Sequence, residues 1–275
     1  MLKSAIYGFA VGDAIGVPYE FLSRGKFKCK GMRGHGTHNQ PAGTWSDDTS
    51  MTLATCFSLR AWGKIDYRSL MLQFCFWMRS GAWTANGKVF DVGGTTYRAI
   101  KKFSQTFDAK HCGQAAIYDN GNGSLMRMLP LAFIDCSDEE IKAVSALTHA
   151  HEISMSICVE YVRLTQRLIK TGSIEEALGA DEYARLQALQ ESEVKSTGFV
   201  GDTFEAAKWC LVNSKSYKEC VLKAVNLGDD TDTIAAIAGG WAGVVYGYKN
   251  IPFAWRLRLK NKKLINFCID WSWKR

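Results

Sequence analysis

Apolar residues recur at three- and four-residue spacing along most of the 275-residue chain, and this periodicity limits the possible folds more than any other feature. Strand-like alternation of apolar and polar residues is nearly absent. The pattern therefore predicts an all-α fold, with about ten or more helices packed around one core. The predicted helices span residues 2–16, 48–62, 67–78, a short segment ending at 100, 137–150, 153–170, 174–178, 183–190, 203–212, 216–227 and 234–245.

The composition favours a single folded unit. With 47% apolar side chains, a chain of 275 residues can bury a substantial core. No Pro/Ser-rich linker or block of charge divides it, so we expect one domain over residues 1–275.

The net charge and the cysteine content indicate which partners and which cellular compartment to expect. The formal net charge of +7 is dispersed, with local basic stretches at 249–263 and 274–275. This dispersed positive charge can attract a phosphate-bearing substrate, but it is too weak a signal to indicate nucleic-acid binding, and its main effect is expected to be solubility.

Nine cysteines without a CxxC pair predict reduced core thiols in a cytoplasmic protein. The N-terminal apolar run is short and interrupted by Asp13, so we expect neither a signal peptide nor a membrane span.

Two segments far apart in the chain concentrate carboxylates and hydroxyls at predicted helix starts. Residues 43–51 have the sequence Gly-Thr-Trp-Ser-Asp-Asp-Thr-Ser-Met, and residues 228–233 have the sequence Gly-Asp-Asp-Thr-Asp-Thr. Helix capping explains one carboxylate, but not five in two short segments. Oxygen ligands without nearby Cys or His favour Mg²⁺, Mn²⁺ or Ca²⁺ over Zn²⁺. We therefore predict that the two segments meet around a divalent cation.

The N-terminal helix carries further candidates. Gly8, Gly12 and Gly16 form a stripe that allows a second helix to approach closely. Asp13 is a candidate for a buried acceptor that holds a neighbouring loop. Glu20 lies between two aromatic residues just past the helix, where either a site role or a structural role is open.

Two glycine-rich loops add candidates. Asp91 precedes two glycines, so it either caps the following helix or projects into a cleft. Residues 120–127, Asn-Gly-Asn-Gly-Ser-Leu-Met-Arg, form a loop that is predicted to run into a helix and to offer N–H groups to phosphate, with Arg127 adding charge. This loop matches neither a P-loop nor a dinucleotide fingerprint.

The histidines do not form a standard metal site. His149 and His151 would face apart at the end of the predicted helix 137–150, which leaves one of them to contact a ligand hydroxyl or base. Cys29, His35 and His38 match no zinc spacing, and we interpret them as loop residues.

Five motifs occur in order over essentially the whole chain. They are Gly12-Asp13-Ala14 with Pro18-x-Glu20-Phe21, Thr44-Trp45-Ser46-Asp47-Asp48-Thr49, Asn122-Gly123-Ser124-Leu125-Met126-Arg127 with Pro130, Thr148-His149, and Gly228-Asp229-Asp230-Thr231-Asp232-Thr233. In these motifs the chain resembles the ADP-ribosylglycohydrolases, a family that includes the dinitrogenase reductase-activating glycohydrolase.

The resemblance implies an all-helical, single-domain enzyme that holds two Mg²⁺ ions, or Mn²⁺, and removes ADP-ribose from a modified target. The target implied is a protein, with a nucleic acid left open and no membrane involved. The implied metal ligands are Ser46, Asp47, Asp48, Asp230, Asp232 and Thr233. The implied contacts to ADP-ribose are Asp47, Gly121, Asn122, Gly123, Ser124, Leu125, Met126, Arg127 and His149.

Glu20, near the metals, and Asp91, beside the scissile bond, are the implied candidates for proton transfer. Two departures from the family pattern leave details open. Asp229 stands where many relatives have glycine, so the direct ligands among the three carboxylates of that segment are not fixed. Gly94 stands where the arginine-specific members commonly have asparagine, so the acceptor is open among arginine, serine, a nucleobase and a small molecule.

Two other functions fit the same residues. A two-metal nucleotide phosphohydrolase uses similar cations. A non-catalytic ADP-ribose-binding or immunity module would only sequester modified targets, but intact acidic clusters argue against this interpretation.

Overall fold

The computed structural model describes residues 1–271, and most of them lie in thirteen α-helices. The α-helices are α1 (Leu2–Gly16), α2 (Asp47–Trp62), α3 (Tyr67–Ser80), α4 (Gly94–Thr106), α5 (Asp138–Ala146), α6 (Glu152–Thr171), α7 (Ile174–Leu178), α8 (Ala180–Ala188), α9 (Val200–Val212), α10 (Tyr217–Asn226), α11 (Thr231–Tyr246), α12 (Phe253–Arg258) and α13 (Lys262–Ile269). No β-strand occurs in residues 1–271, so the predicted all-α fold is confirmed. Lys274, Arg275 and the end of the predicted domain lie outside the described residues.

Two helices from opposite ends of the chain form the centre of the core. Every residue of α1 from Ala5 to Gly16 is buried, and so is every residue of α11 from Thr231 to Val244. A helix that is buried on all sides needs apolar or small residues around its whole circumference, as both sequences provide. α9 and α10 pack against α11, and α2 packs against α3 and α13.

The predicted glycine stripe is the contact surface between α1 and α11. A Cβ atom at Gly8 would lie 2.3 Å from the carbonyl oxygen of Gly239, and one at Gly12 would lie 2.0 Å from that of Ala235. These distances are below van der Waals contact, so only glycine allows the two backbones to approach this closely. The stripe therefore fixes the separation of the two helices.

Two predicted helix boundaries were wrong in ways that affect the site. The helix predicted over 137–150 ends at Ala146, because Thr148 and Ala150 exchange backbone hydrogen bonds with Gln114 instead. The loop predicted to run into a helix after Asn122 continues as short 3₁₀ turns, Leu125–Arg127 and Leu129–Phe133. As a result, one residue from each segment, His149 and Met126, lines the same pocket.

All nine cysteines are free and buried, which confirms the predicted core thiols. In the part of the chain that the structure describes, no helix has the length and apolar character needed to cross a bilayer.

Candidate functional site

Asp13 of α1 holds the first acidic segment in place. Its Oδ1 accepts a hydrogen bond from the Ser46 N–H at 2.9 Å, and its Oδ2 accepts from the Thr49 N–H at 3.0 Å and the Thr49 hydroxyl at 2.5 Å. These donors belong to the N-terminal turn of α2, where the Ser46 side chain accepts from the Asp48 N–H as the N-cap. Asp13 is thus the predicted buried acceptor, and it orients Asp47 and Asp48 in that turn.

The C-terminal end of α1 fixes the second acidic segment. A Cβ atom at Gly16 would lie 2.3 Å from Asp232 Cα, and the Thr231 hydroxyl donates to the Gly16 carbonyl at 2.9 Å. Asp229 adopts a left-handed backbone with φ 56°, immediately before the N-cap residue Asp230. One helix therefore positions the starts of both α2 and α11.

The two acidic segments meet, as the sequence predicted. The Thr233 hydroxyl lies 3.4 Å from Asp48 Oδ2. Carboxylate oxygens of Glu20, Asp230 and Asp232 all lie within 4.8 Å of one another. A small volume thus contains carboxylates from α2, from α11 and from the turn after α1.

These carboxylates fit a divalent cation. Asp48 Oδ1, Asp230 Oδ1 and Asp232 Oδ2 are buried and have no hydrogen-bond partner within residues 1–271. Burial, reinforced by neighbouring carboxylates, raises the pKa of Asp47, Asp48 and Asp232 well above the usual value. Buried carboxylates that lack a partner are costly, and a hard cation removes that cost by supplying positive charge to their free oxygens.

Glu20 connects this group to a second set of residues. The carboxylate of Glu20 contacts His38 Nε2, and ligand atoms of Glu20, His38 and Asp91 also lie within 4.8 Å of one another. Burial raises the pKa of Glu20 to about 7, even though the His38 contact lowers it. The same contact raises the pKa of His38. The sequence predicts only a loop position for His38, because no local spacing relates it to Glu20.

Asp91 projects into the cleft and does not cap a helix. Gly93 is the N-cap residue of α4 and makes no side-chain cap bond. Asp91 has a left-handed backbone with φ 54°, a conformation that costs free energy for a residue other than glycine and that occurs often at functional sites.

A pocket of about 250 Å³ brings most of the candidates together. Its lining consists of Glu20, Phe21, Asp47, Asp48, Asp91, Gly93, Gly94, Thr95, Thr96, Gly121, Asn122, Gly123, Met126, His149, Asp230 and Thr233. Ser46 and Asp232 lie just behind this lining, at the starts of α2 and α11. A larger groove of about 860 Å³ runs between residues 24–30 and α10, and it contains none of these carboxylates.

Asn122 links the glycine-rich loop to the acidic cluster. Its side-chain amide donates to Asp230 Oδ2 at 2.6 Å and to the Thr203 hydroxyl at 2.9 Å. Its backbone N–H donates to the Gly198 carbonyl. These hydrogen bonds from Asn122 fix the loop against neighbouring segments, and Gly121 and Gly123 form part of the pocket wall.

Three residues of this loop do not reach the pocket with their side chains. Ser124, Leu125 and Arg127 are fully buried. Arg127 donates to the Val144 carbonyl at 3.1 Å and to the Thr148 hydroxyl at 2.8 Å. Arg127 therefore directs its guanidinium into the core instead of adding charge to the pocket, and the contact of residues 121–127 with ADP-ribose through backbone N–H groups stays a prediction.

His149 lines the pocket, whereas His151 does not. His149 follows the early end of α5, and burial together with the nearby Arg127 lowers its pKa to about 3. His151 is the N-cap residue of α6 and accepts a hydrogen bond from the Ile153 N–H. Of the two histidines, only His149 is placed to contact a ligand in the pocket.

Comparison with known proteins gives a consistent result. The sequence profile of the ADP-ribosylglycohydrolases matches residues 2–273. A solved structure titled "ADP-ribosylglycohydrolase-related protein complex" superposes with a TM-score of 0.82 at 28% identity, covering 98% of this chain and 95% of that chain.

Two named relatives are similar over most of this chain. The ADP-ribosylarginine hydrolase Tri1 of Serratia proteamaculans is 32% identical, over 96% of this chain and 76% of that protein. The ADP-ribosyl-[dinitrogen reductase] glycohydrolase of Rhodospirillum rubrum is 30% identical, over 94% of this chain and 90% of that protein. Together with the profile match and the shared fold, these relatives establish that the chain belongs to the ADP-ribosylglycohydrolase family, whose members are hydrolases of glycosyl bonds.

Proposed function

We propose that this enzyme hydrolyses the bond between ADP-ribose and an arginine side chain of a modified protein, with two Mg²⁺ ions, or Mn²⁺, in its acidic cluster. The observation that carries this proposal is the set of three buried carboxylate oxygens without partners, contributed by Asp48, Asp230 and Asp232. The residues that would hold the cations are Ser46, Asp47, Asp48, Asp230, Asp232 and Thr233. Cations held by these residues would supply positive charge for orienting the ribose hydroxyls and for polarising a water molecule.

The protein's own groups perform the proton transfers. The C1″–N bond of the ribose breaks, the departing guanidine takes a proton, and water adds its hydroxyl to C1″. Glu20 and Asp91 are the two candidates for moving these protons. In the metal-free protein, burial raises the pKa of Glu20 to about 7, so this carboxyl group holds a proton more readily than an ordinary glutamate.

The names of the relatives and the mouth of the pocket support arginine as the acceptor. Tri1 is named an ADP-ribosylarginine hydrolase. Phe21 is 65% exposed and lines the same pocket as Glu20 and Asp91. An exposed aromatic face beside acidic groups complements a guanidinium.

The remainder of ADP-ribose extends beyond this pocket. A volume of about 250 Å³ lies below the range of about 300–1,000 Å³ that is typical for a drug-sized ligand. A neighbouring cavity shares Gly121 with it and is lined by Tyr118 and Phe199, which are 84% and 42% exposed. We assign the adenine to these rings, because exposed aromatic faces stack on bases.

The nine free thiols support a reducing compartment, and we place the reaction in the cytoplasm.

The test is product analysis with an ADP-ribosylated arginine peptide and a matched serine peptide. With Mg²⁺, we expect intact ADP-ribose to be released from the arginine peptide, and chelator should stop the release. Asp230→Asn should lose activity, whereas Asp138→Asn, at an exposed position on α5, should retain it. Formation of AMP would indicate a phosphohydrolase, and tight binding without release would indicate a sequestering module. Release from the serine peptide alone would contradict the arginine assignment.

A further inference from the structure

Arg127, Thr148 and His149 form a chain of hydrogen bonds from the core to the pocket. Arg127 Nη2 lies 2.8 Å from the Thr148 hydroxyl oxygen, and that oxygen lies 2.8 Å from His149 Nδ1. All three residues are buried, with exposures of 0%, 0% and 2%. The arginine has no carboxylate partner within residues 1–271, so its position is not explained by an ion pair.

The direction of these hydrogen bonds follows from the donors available. A guanidinium only donates, so the Thr148 hydroxyl accepts from Arg127. Among residues 1–271, the hydrogen-bond partners of this hydroxyl are Arg127 and His149. If His149 Nδ1 carried a proton, the hydroxyl proton of Thr148 would be buried without an acceptor, which is unfavourable. Thr148 therefore donates to His149 Nδ1.

This direction places the imidazole proton on the other nitrogen. With Nδ1 as acceptor, a neutral imidazole carries its proton on Nε2. Nε2 faces the glycine-rich wall of the pocket, since a Cβ atom at Gly123 would lie 3.3 Å from it. No side chain or backbone group within residues 1–271 accepts from Nε2. The pKa of His149, lowered to about 3 by burial and by Arg127, is consistent with a neutral ring.

We propose that Arg127 is a positioning residue: acting through Thr148, it fixes His149 as the neutral Nε2–H tautomer, which donates a hydrogen bond to an oxygen of the bound ADP-ribose. The tautomer assignment stands on the geometry of the chain itself. The identity of the acceptor rests on the proposed function.

NMR of ¹⁵N-labelled protein tests the tautomer directly, because protonated and unprotonated ring nitrogens have separate chemical shifts. In the wild type we expect Nε2 to be protonated and Nδ1 not. Thr148→Ser keeps the hydroxyl and should leave this pattern intact. Thr148→Val has nearly the same shape without the hydroxyl. Arg127→Met keeps an unbranched apolar side chain but removes the guanidinium, which donates to Thr148 and lies 4.8 Å from the centre of the Phe74 ring. Both should give a mixture of tautomers.

Calorimetric titration with ADP-ribose tests the consequence. We expect Thr148→Val to weaken binding by about two- to tenfold, because only the fraction of the protein with the proton on Nε2 can donate to ADP-ribose, and Thr148→Ser to keep the wild-type affinity. Thr55→Val is the matched control, since Thr55 is equally buried but donates only to the Met51 carbonyl within α2. It should change neither the tautomer nor the affinity.

Several results would overturn the proposal. A proton on Nδ1 in the wild type would refute the tautomer, even if every variant failed to fold. If the ¹⁵N chemical shifts of the His149 ring were unchanged in Arg127→Met, Arg127 would not be a positioning residue. If Thr148→Val and Thr148→Ser bound ADP-ribose with equal affinity, His149 would not donate to the substrate. A wild-type protein with the expected tautomer but no affinity for ADP-ribose would instead refute the proposed function.

Discussion

Glu20 is the residue that belongs to both groups of ionisable side chains in the pocket. On one side its carboxylate approaches Asp230 and Asp232, and on the other it contacts His38 near Asp91. Burial makes ionisation of Glu20 unfavourable, and the pKa of about 7 records that cost. A carboxyl group in this position can either support a cation or exchange a proton, and substitution can separate the two roles.

Replacing each candidate carboxylate by its amide should identify the proton-transfer residue. We expect Glu20→Gln or Asp91→Asn to lower kcat by about 10²–10⁴-fold, because an amide has similar shape but cannot exchange the proton. Binding of ADP-ribose, measured by calorimetry, should remain detectable in the impaired variant. Asp138→Asn serves again as the surface control. Full activity in both pocket variants would refute the assignment.

Sequence alone predicted residue types better than side-chain directions. Asp47, Asp91 and His149 lie at the pocket, where the motifs suggested. Arg127 was assigned to the ligand because arginine follows a glycine-rich loop, yet its side chain turns into the core. His38 was missed, because its link to Glu20 depends on how a loop folds back and leaves no periodic signal.

At the scale of elements, the geometry of the site depends on contact between backbones. The glycine stripe of α1 sets its distance to α11, and the end of α1 directly touches Asp232. Sequence predicted that a helix would approach the stripe, but it did not identify α11 as that helix. Pairing between distant helices depends on tertiary packing that single-sequence periodicity does not encode.

Gly12→Ala should disturb both the stability of the fold and the proposed metal site. Its new methyl group would meet the Ala235 carbonyl at 2.0 Å, and backbone atoms on both sides must shift. We expect a loss of about 1–3 kcal/mol or more in the free energy of unfolding, with weaker Mg²⁺ binding. Gly240→Ala is the matched control, since its methyl group would meet side chains of Leu129 and Phe9 at 3.1 Å or more. Equal effects of the two substitutions on Mg²⁺ affinity would contradict this account.

At the scale of the whole molecule, the buried carboxylates make stability depend on pH and on metal. Burial raises the pKa of Asp13 to about 6 and that of Glu20 to about 7. A group with a raised pKa stabilises the fold below its unfolded pKa, and this contribution is lost as pH rises through the folded value. His149 has a lowered pKa, and its opposite effect is confined to pH below about 6.5.

We therefore expect the Tm of the metal-free protein to fall as pH rises from about 5 to about 7, with the opposite effect of His149 offsetting part of this fall up to about pH 6.5. If Mg²⁺ binds the acidic cluster as proposed, it should raise the Tm more at the higher pH, because a cation binds carboxylates in their ionised form. Thermal melts with Mg²⁺, with chelator, and with NaCl at equal ionic strength would separate binding from screening. If the Tm did not respond to Mg²⁺ at either pH, the cation site would be refuted.

The backbone contact at Gly16 has a consequence for how such an enzyme can diversify. Because main-chain atoms set the spacing of the acidic groups, exchanges among ordinary core side chains leave that spacing nearly unaltered. Phe21 and Gly94 line the pocket but take no part in this backbone contact, so we expect selectivity for the acceptor to vary at such loop positions. The acidic cluster and the selectivity for the acceptor can thus change independently of each other.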